Sequence, residues 1–239
     1  MFNRQSAKIC AKNIVKSSHP SMIIMGAIFT AISIVFNALS SRVLSTNMTE
    51  ENMMRLYNAS VKGNYESVMN MIEASSPSPF GKFLACLIMI VMWVVAAGFV
   101  IFIMNTIRKS EAVAYGNILD GFSFGGKIVL LMLVQYFLIT LGTCLLVIPG
   151  IILSFAYRQA LYILVDDPEK GIRQCLRESR MMMRGHKWEL FVLDLSFIGW
   201  KLLSAITMLA NIWVAPYTET VYFEYYEHVA GKNLAFSVV

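Results

Sequence analysis

The sequence predicts an all-α polytopic membrane protein, a transmembrane helical bundle of six spans with amphipathic helices at its cytoplasmic face. Three observations predict it. Only 15% of the residues are charged while 57% are hydrophobic. Charge-free apolar stretches recur near the ~20 residues that cross ~30 Å of hydrocarbon. Lys and Arg gather on alternate sides of those stretches. An average soluble domain carries ~25% charged residues, and a soluble core has no room for this excess of apolar side chain. Residues 1–239 read as one integral membrane domain.

Residues 22–39 and 83–105 form the first two spans, and residues 128–148 the third. Pro149 and Gly150 then mark a break before a shorter apolar run, 151–165, because Pro removes a backbone donor and Gly permits a tight reversal. These two runs are expected to form a helical hairpin. Residues 190–226 are too long for one span and suit two, joined near 209–211.

With the N terminus inside, the inner segments hold fourteen Lys and Arg and the outer segments four. Cytoplasmic loops carry this excess, so both termini are expected in the cytoplasm of a bacterial cell membrane, which requires an even number of spans. Four spans plus a re-entrant hairpin is the alternative to six. The first run also admits a signal-peptide reading, with Ala38 and Ser40 at a cleavage spacing; the roughly twenty preceding residues and the length of the run favour a retained span.

Three inner segments are amphipathic. Residues 1–20 carry Lys8, Lys12 and Lys16 four apart, with Ile9, Ile14 and Val15 interspersed. Residues 107–127 carry Ile118, Leu119, Phe122 and Phe124 among polar residues. Residues 167–187 predict a helix capped by Asp167, with Pro168 at its first position and Gly185 closing it. Along that helix Ile172, Cys175, Leu176, Met182 and Met183 recur on one face, and Arg173, Arg177, Arg180 and Arg184 on another. The arginines are candidate contacts for lipid headgroups, or else solvated charges that enforce topology. Each segment precedes a hairpin, which suggests three repeated units. The outer loop, 40–81, is polar, contains helix-compatible sequence over 47–74 and a turn-rich return over 75–79, and holds two sequons, Asn47-Met48-Thr49 and Asn58-Ala59-Ser60.

Four ionisable residues fall inside predicted spans: Arg158, Asp194, Lys201 and Glu219. A charge at the bilayer centre costs ~2.5–3.5 kcal/mol on insertion scales, so each needs a partner. Similar depths pair Arg158 with Asp194 and Lys201 with Glu219. With Gln135 they form a candidate intramembrane polar seam, either a set of salt bridges fixing the helices or a path for a solute, proton or peptide.

Several classes are disfavoured. The net charge of +5 comes from residues at helix ends rather than from a nucleic-acid patch. Cys10, Cys86, Cys144 and Cys175 are scattered, and His19, His186 and His228 lack ligand spacing, so no metal or other cofactor is expected. Residues 121–125 (Gly-Phe-Ser-Phe-Gly) imitate a nucleophile spacing without the strand-to-helix context, and no other catalytic motif occurs, so no enzyme is expected.

The run Val147-Ile148-Pro149-Gly150-Ile151-Ile152, with Tyr157, Asp166-Asp167-Pro168, Glu178-Ser179-Arg180, Gly185-His186-Lys187, Asp194-Leu195-Ser196-Phe197-Ile198-Gly199-Trp200 and Trp213-Val214-Ala215-Pro216-Tyr217, resembles the bacterial integral membrane proteins catalogued as domain of unknown function 975. The resemblance covers residues 116–226 and is looser before them. More distantly it extends to the membrane domain of some glycerophosphodiester phosphodiesterases. Where that family has a Gly-rich turn, this chain has Leu209-Ala210-Asn211. The resemblance implies a bacterial cytoplasmic membrane and brings no catalytic residues. The expected function is a non-enzymatic accessory, binding or protective component, with membrane lipids, another membrane protein or a peptide as partners; the alternative is a small transporter or channel using the seam.

Overall fold

The computed structural model describes residues 2–44, 50–74, 76–108 and 113–231, all of whose regular elements are helical. The sequon at Asn47, Ser75 of the turn-rich return, and Lys109 and Lys232 of the inner charge set lie outside these residues. The chain divides into two units, Met1–Ile32 with Met92–Val239, and Ser33–Val91.

The larger unit begins with α1 (Arg4–Ser17), which Asn3 caps by accepting from the Gln5 and Ser6 amides. Its buried face is the small-residue row Ala7, Ala11 and Val15, four apart, while Ile9 points outward. The small side chains let α1 lie close to α12 (Asn211–Val229), where Phe2 meets Tyr225 edge-on at 5.1 Å. α2 (Met22–Val43) and α5 (Pro79–Ile107) run through both units. α2 approaches α12 at Gly26, where a Cβ would sit 2.1 Å from the Ile212 carbonyl oxygen. A 3-10 helix, Tyr115–Phe122, crosses α5 at Gly98 by the same device.

α6 (Gly125–Leu145) and α7 (Val147–Tyr157) form the expected hairpin, but the chain reverses at Leu146, three residues before Pro149. Pro149 and Gly150 occupy the first turn of α7. The missing donor of Pro149 is harmless there, because first-turn amides have no intrahelical acceptor. Gly150 instead serves packing: a Cβ there would lie 2.0 Å from Thr143 Oγ1.

α7 gives way at Arg158 to α8 (Ala160–Asp166), and α9 (Ile172–Met182) returns along it. α9 starts later than expected. Its N-cap is Gly171, and Asp167 closes α8 instead, with its side chain accepting from the Glu169 amide. Gly185 ends the segment at φ +82, as a terminating glycine should. α10 (Lys187–Leu195) and α11 (Ile198–Thr207) form a bent pair with 47° between them, and the turn into α12 falls at residues 208–210, with Met208 at φ 47.

The helices α2, α5 and α6 and the pair Val147–Asp166 are long and apolar enough to cross a membrane, and the bent pair α10 and α11 makes five. The sixth expected span, α12, carries Glu219, Glu224 and Glu227 and does not reach that composition. Large apolar side chains cover the outside of the larger unit; α11 has no buried residue, and Ile206 is 82% exposed. So many large exposed apolar side chains suit lipid rather than water. In chain order α1 comes before α2, the 3-10 helix before α6, and α9 before α10.

In the smaller unit, α3 (Glu50–Val61) and α4 (Tyr65–Ala74) pack together through a turn with Gly63 at φ 68. The sequon at Asn58 lies within α3.

Candidate functional site: an intramembrane polar cluster and an arginine cleft

The bend between α10 and α11 organises the polar cluster. At Ser196 the hydroxyl turns back to the Leu193 carbonyl, competing with continued helix, and Phe197 is fully buried against the rings of Tyr217 and Tyr222 at 5.6 and 5.9 Å. The Ser196 carbonyl, released from the helix, accepts from Lys8 Nζ at 3.2 Å. A cation suits the negative end of α10, and Lys8 also lies 4.6 Å from the Phe197 ring centroid.

Across the bend Lys201 Nζ meets Asp194 Oδ1 at 3.1 Å. The Tyr222 hydroxyl of α12 donates to the same carboxylate oxygen. Glu219, one turn away on α12, accepts from the Tyr162 hydroxyl of α8. Arg158 lies over the Tyr222 ring at 4.6 Å, and Lys201 lies 5.6 Å from the same ring. Gln135 donates to the Tyr157 carbonyl at 2.9 Å, an acceptor freed where α7 ends. Gln135, Tyr157, Arg158, Tyr162 and Glu219 line one cleft of about 350 Å³.

The structure therefore brings together all five seam residues with exchanged partners. Asp194 pairs with Lys201 rather than Arg158, and Glu219 is held by Tyr162 rather than Lys201. Asp194 and Lys201, seven residues apart on one face, meet within the bent pair itself, across the 47° angle between α10 and α11. Among the described residues Arg158 makes no ion pair within 4.0 Å.

A second cluster escaped the sequence reading. Arg108, just past α5, contacts Asp166 of α8 at 2.6 Å and Glu227 of α12 at 3.0 Å. The Tyr226 hydroxyl donates to Asp166 at 2.6 Å, and the Phe223 ring lies 5.0 Å from the guanidinium. In the sequence Arg108 is one of the fourteen Lys and Arg of the inner segments and carries no further mark. Its partners are 58 and 119 residues away in sequence, and the carboxylates at the ends of apolar helices were the only available signal.

The four arginines of the α9 segment do share a site. Arg173, Arg177, Arg180 and Arg184 line a cleft of about 420 Å³ whose other wall is α6, at Val134 and Leu138. Arg180 donates to the Tyr157 hydroxyl at 3.2 Å. The remaining face of α9 is buried at Cys175, Leu176 and Ser179, with the Ser179 hydroxyl donating to the Ala156 carbonyl at 2.8 Å. Beyond this cleft Lys170 pairs with Glu178 at 2.9 Å. The Gln174 amide and the Lys170 ammonium together hold the Glu178 carboxyl below its usual range, and the same contact raises Lys170.

No group of three or more His, Cys, Asp or Glu is placed to hold a metal ion among the described residues. The four cysteines are free thiols. The clusters offer aromatic-supported ion pairs and an arginine surface, which can bind and orient anionic groups.

Fold and site define an all-helical protein with apolar helices suited to a membrane and polar residues gathered between them. The family follows from comparison: the chain matches the model described as protein of unknown function (DUF975) over residues 22–233 and belongs to that family. No curated protein and no solved structure matches the chain.

Proposed function

We propose that the chain is a non-enzymatic accessory, binding or protective component of a bacterial cytoplasmic membrane, with both termini in the cytoplasm. One observation carries the reading: the carboxylates of the seam are engaged internally, Asp194 by Lys201 and Tyr222 and Glu219 by Tyr162. A transport path needs groups that exchange partners with a passing solute, whereas pairs and hydroxyl contacts of this kind hold helices together. The excess of Lys and Arg on one side of the spans supports the orientation. Its partners are membrane lipids, with another membrane protein or a peptide as further candidates, and no nucleic acid.

A transporter is the second reading, favoured by Arg158, which lines the 350 Å³ cleft and makes no ion pair within 4.0 Å among the described residues. Proteoliposome flux separates the two. The accessory reading expects no flux of protons, cations, anions or short peptides above protein-free vesicles. Flux that Asp194→Asn or Lys201→Met abolishes would replace it with the transporter.

A further inference from the structure

We propose that the cleft between α6 and α9 holds one anionic phospholipid, with its phosphate on the arginines of α9 and one acyl chain along α6. The proposal deepens the binding-component reading and rests on it. Arg173, Arg177, Arg180 and Arg184 line one cleft, and among the described residues none forms an ion pair. The carboxylate on α9 itself, Glu178, is already engaged by Lys170 and Gln174. Four like charges gathered on one cleft, three on α9 and Arg184 just past its end, repel, and a phosphate relieves the repulsion. The planar guanidinium fork fits its oxygens two at a time.

The opposite wall supplies the second half of the match. Val134 and Leu138 of the cleft continue along the same helix face as Leu141 and Leu145, which are 50% and 74% exposed. From Val134 to Leu145 this stripe is ~16 Å long at ~1.5 Å per residue, against ~15 Å for the hydrocarbon of one leaflet. No charged residue lies between Lys127 and Arg158. A free phosphate or nucleotide would use the arginines and leave the stripe bare; a phospholipid uses both. A lipid seated in this way sets the Leu146 turn at mid-membrane, which makes the α6–α7 hairpin re-entrant.

The test exposes the full chain, purified in mild detergent, to equal amounts of phosphatidylglycerol and phosphatidylcholine with identical acyl chains, and counts retained lipid by native mass spectrometry. One phosphatidylglycerol per protein, with phosphatidylcholine at background, is the expected result. Arg177→Gln with Arg180→Gln lowers retention about tenfold, the effect of losing one charge-assisted hydrogen bond. Leu138→Trp, which fills the apolar wall and keeps every arginine, lowers it similarly, so the test does not depend on the folding of the arginine variant. Millimolar inorganic phosphate leaves the lipid in place; displacement by phosphate alone overturns the lipid assignment. Equal retention of both lipids, or unchanged retention in the folded double variant, overturns the proposal. Tracer flux on the same preparation keeps the readings apart. Flux with selective retention removes only the accessory reading, and flux silence with unselective retention removes only the lipid site.

Discussion

Arg108 and Asp166 meet at 2.6 Å at the C-terminal ends of α5 and α8, and Glu227 closes the other side of the same guanidinium at 3.0 Å. Glu227 is almost fully buried and Asp166 nearly so. The Arg108 guanidinium thus joins the ends of α5, α8 and α12. Arg108→Met is expected to destabilise the protein by about 3–5 kcal/mol, because it takes the guanidinium away from two largely buried carboxylates. Arg108→Lys, which keeps the charge and loses the two-sided fork, falls between the two. Thermal unfolding in detergent, followed by fluorescence-detected size exclusion, orders the three proteins.

Close helix approach makes a second expectation. A methyl at Gly98 would lie 1.9 Å from the Ile118 carbonyl oxygen, a backbone atom that cannot step aside. Gly98→Ala should cost about 1–3 kcal/mol through forced separation of α5 from the 3-10 helix. Gly126→Ala, where nothing lies within 4 Å, should be neutral or stabilise by up to ~1 kcal/mol. The same melting assay reads both, and equal behaviour would contradict the packing described for Gly98.

The pair Lys170 and Glu178 predicts a pH dependence whose sign follows from the depressed carboxyl. Because Glu178 is held below its usual range in the folded protein, its contribution is present above that range and is lost as pH falls through the lowered value. Both side chains are partly exposed, so the effect is below ~1 kcal/mol. Glu178→Gln should melt slightly below the wild type at neutral pH, and the gap should close on acidification. A gap that widens in acid would reverse the assignment.

Cys144 reports the depth of the α6–α7 turn, since it is exposed and two residues from Leu146. In a chain whose other cysteines are Ser, a membrane-impermeant maleimide applied to whole cells should leave Cys144 unlabelled, while a permeant one reacts slowly. Labelling from outside would put the turn at the outer surface and contradict a re-entrant hairpin.

The long helices were legible because lipid imposes its thickness on sequence: α2, α5 and α6 each carry a long charge-free run whose nearest charge, Arg42, Lys82 or Lys127, sits close to a helix end. The arginine face of α9 was legible from its three- and four-residue spacing, and so was the terminating role of Gly185. The hairpin turn was misplaced because Pro149 reads as a breaker, yet a first-turn proline breaks nothing. The seam residues were found as a set, because a charge in an apolar run stands out. Their pairing was not, since it depends on the bend at Ser196 and Phe197, which is set by aromatic rings from α12. The Arg108 cluster was missed for the opposite reason: charges at helix ends look like topology signals until the helices are assembled.

The central claim is that the intramembrane charges act as internal pairs that fix the helices. A double-mutant cycle on Asp194 and Lys201 tests it most directly, using Asp194→Asn, Lys201→Met and the double variant, with stability read by melting in detergent. The account predicts a coupling of about 1 kcal/mol or more, with both single variants less stable than the wild type. Additive losses within ~0.3 kcal/mol would contradict it, because residues 3.1 Å apart that ignore each other do not hold a helix bend in place.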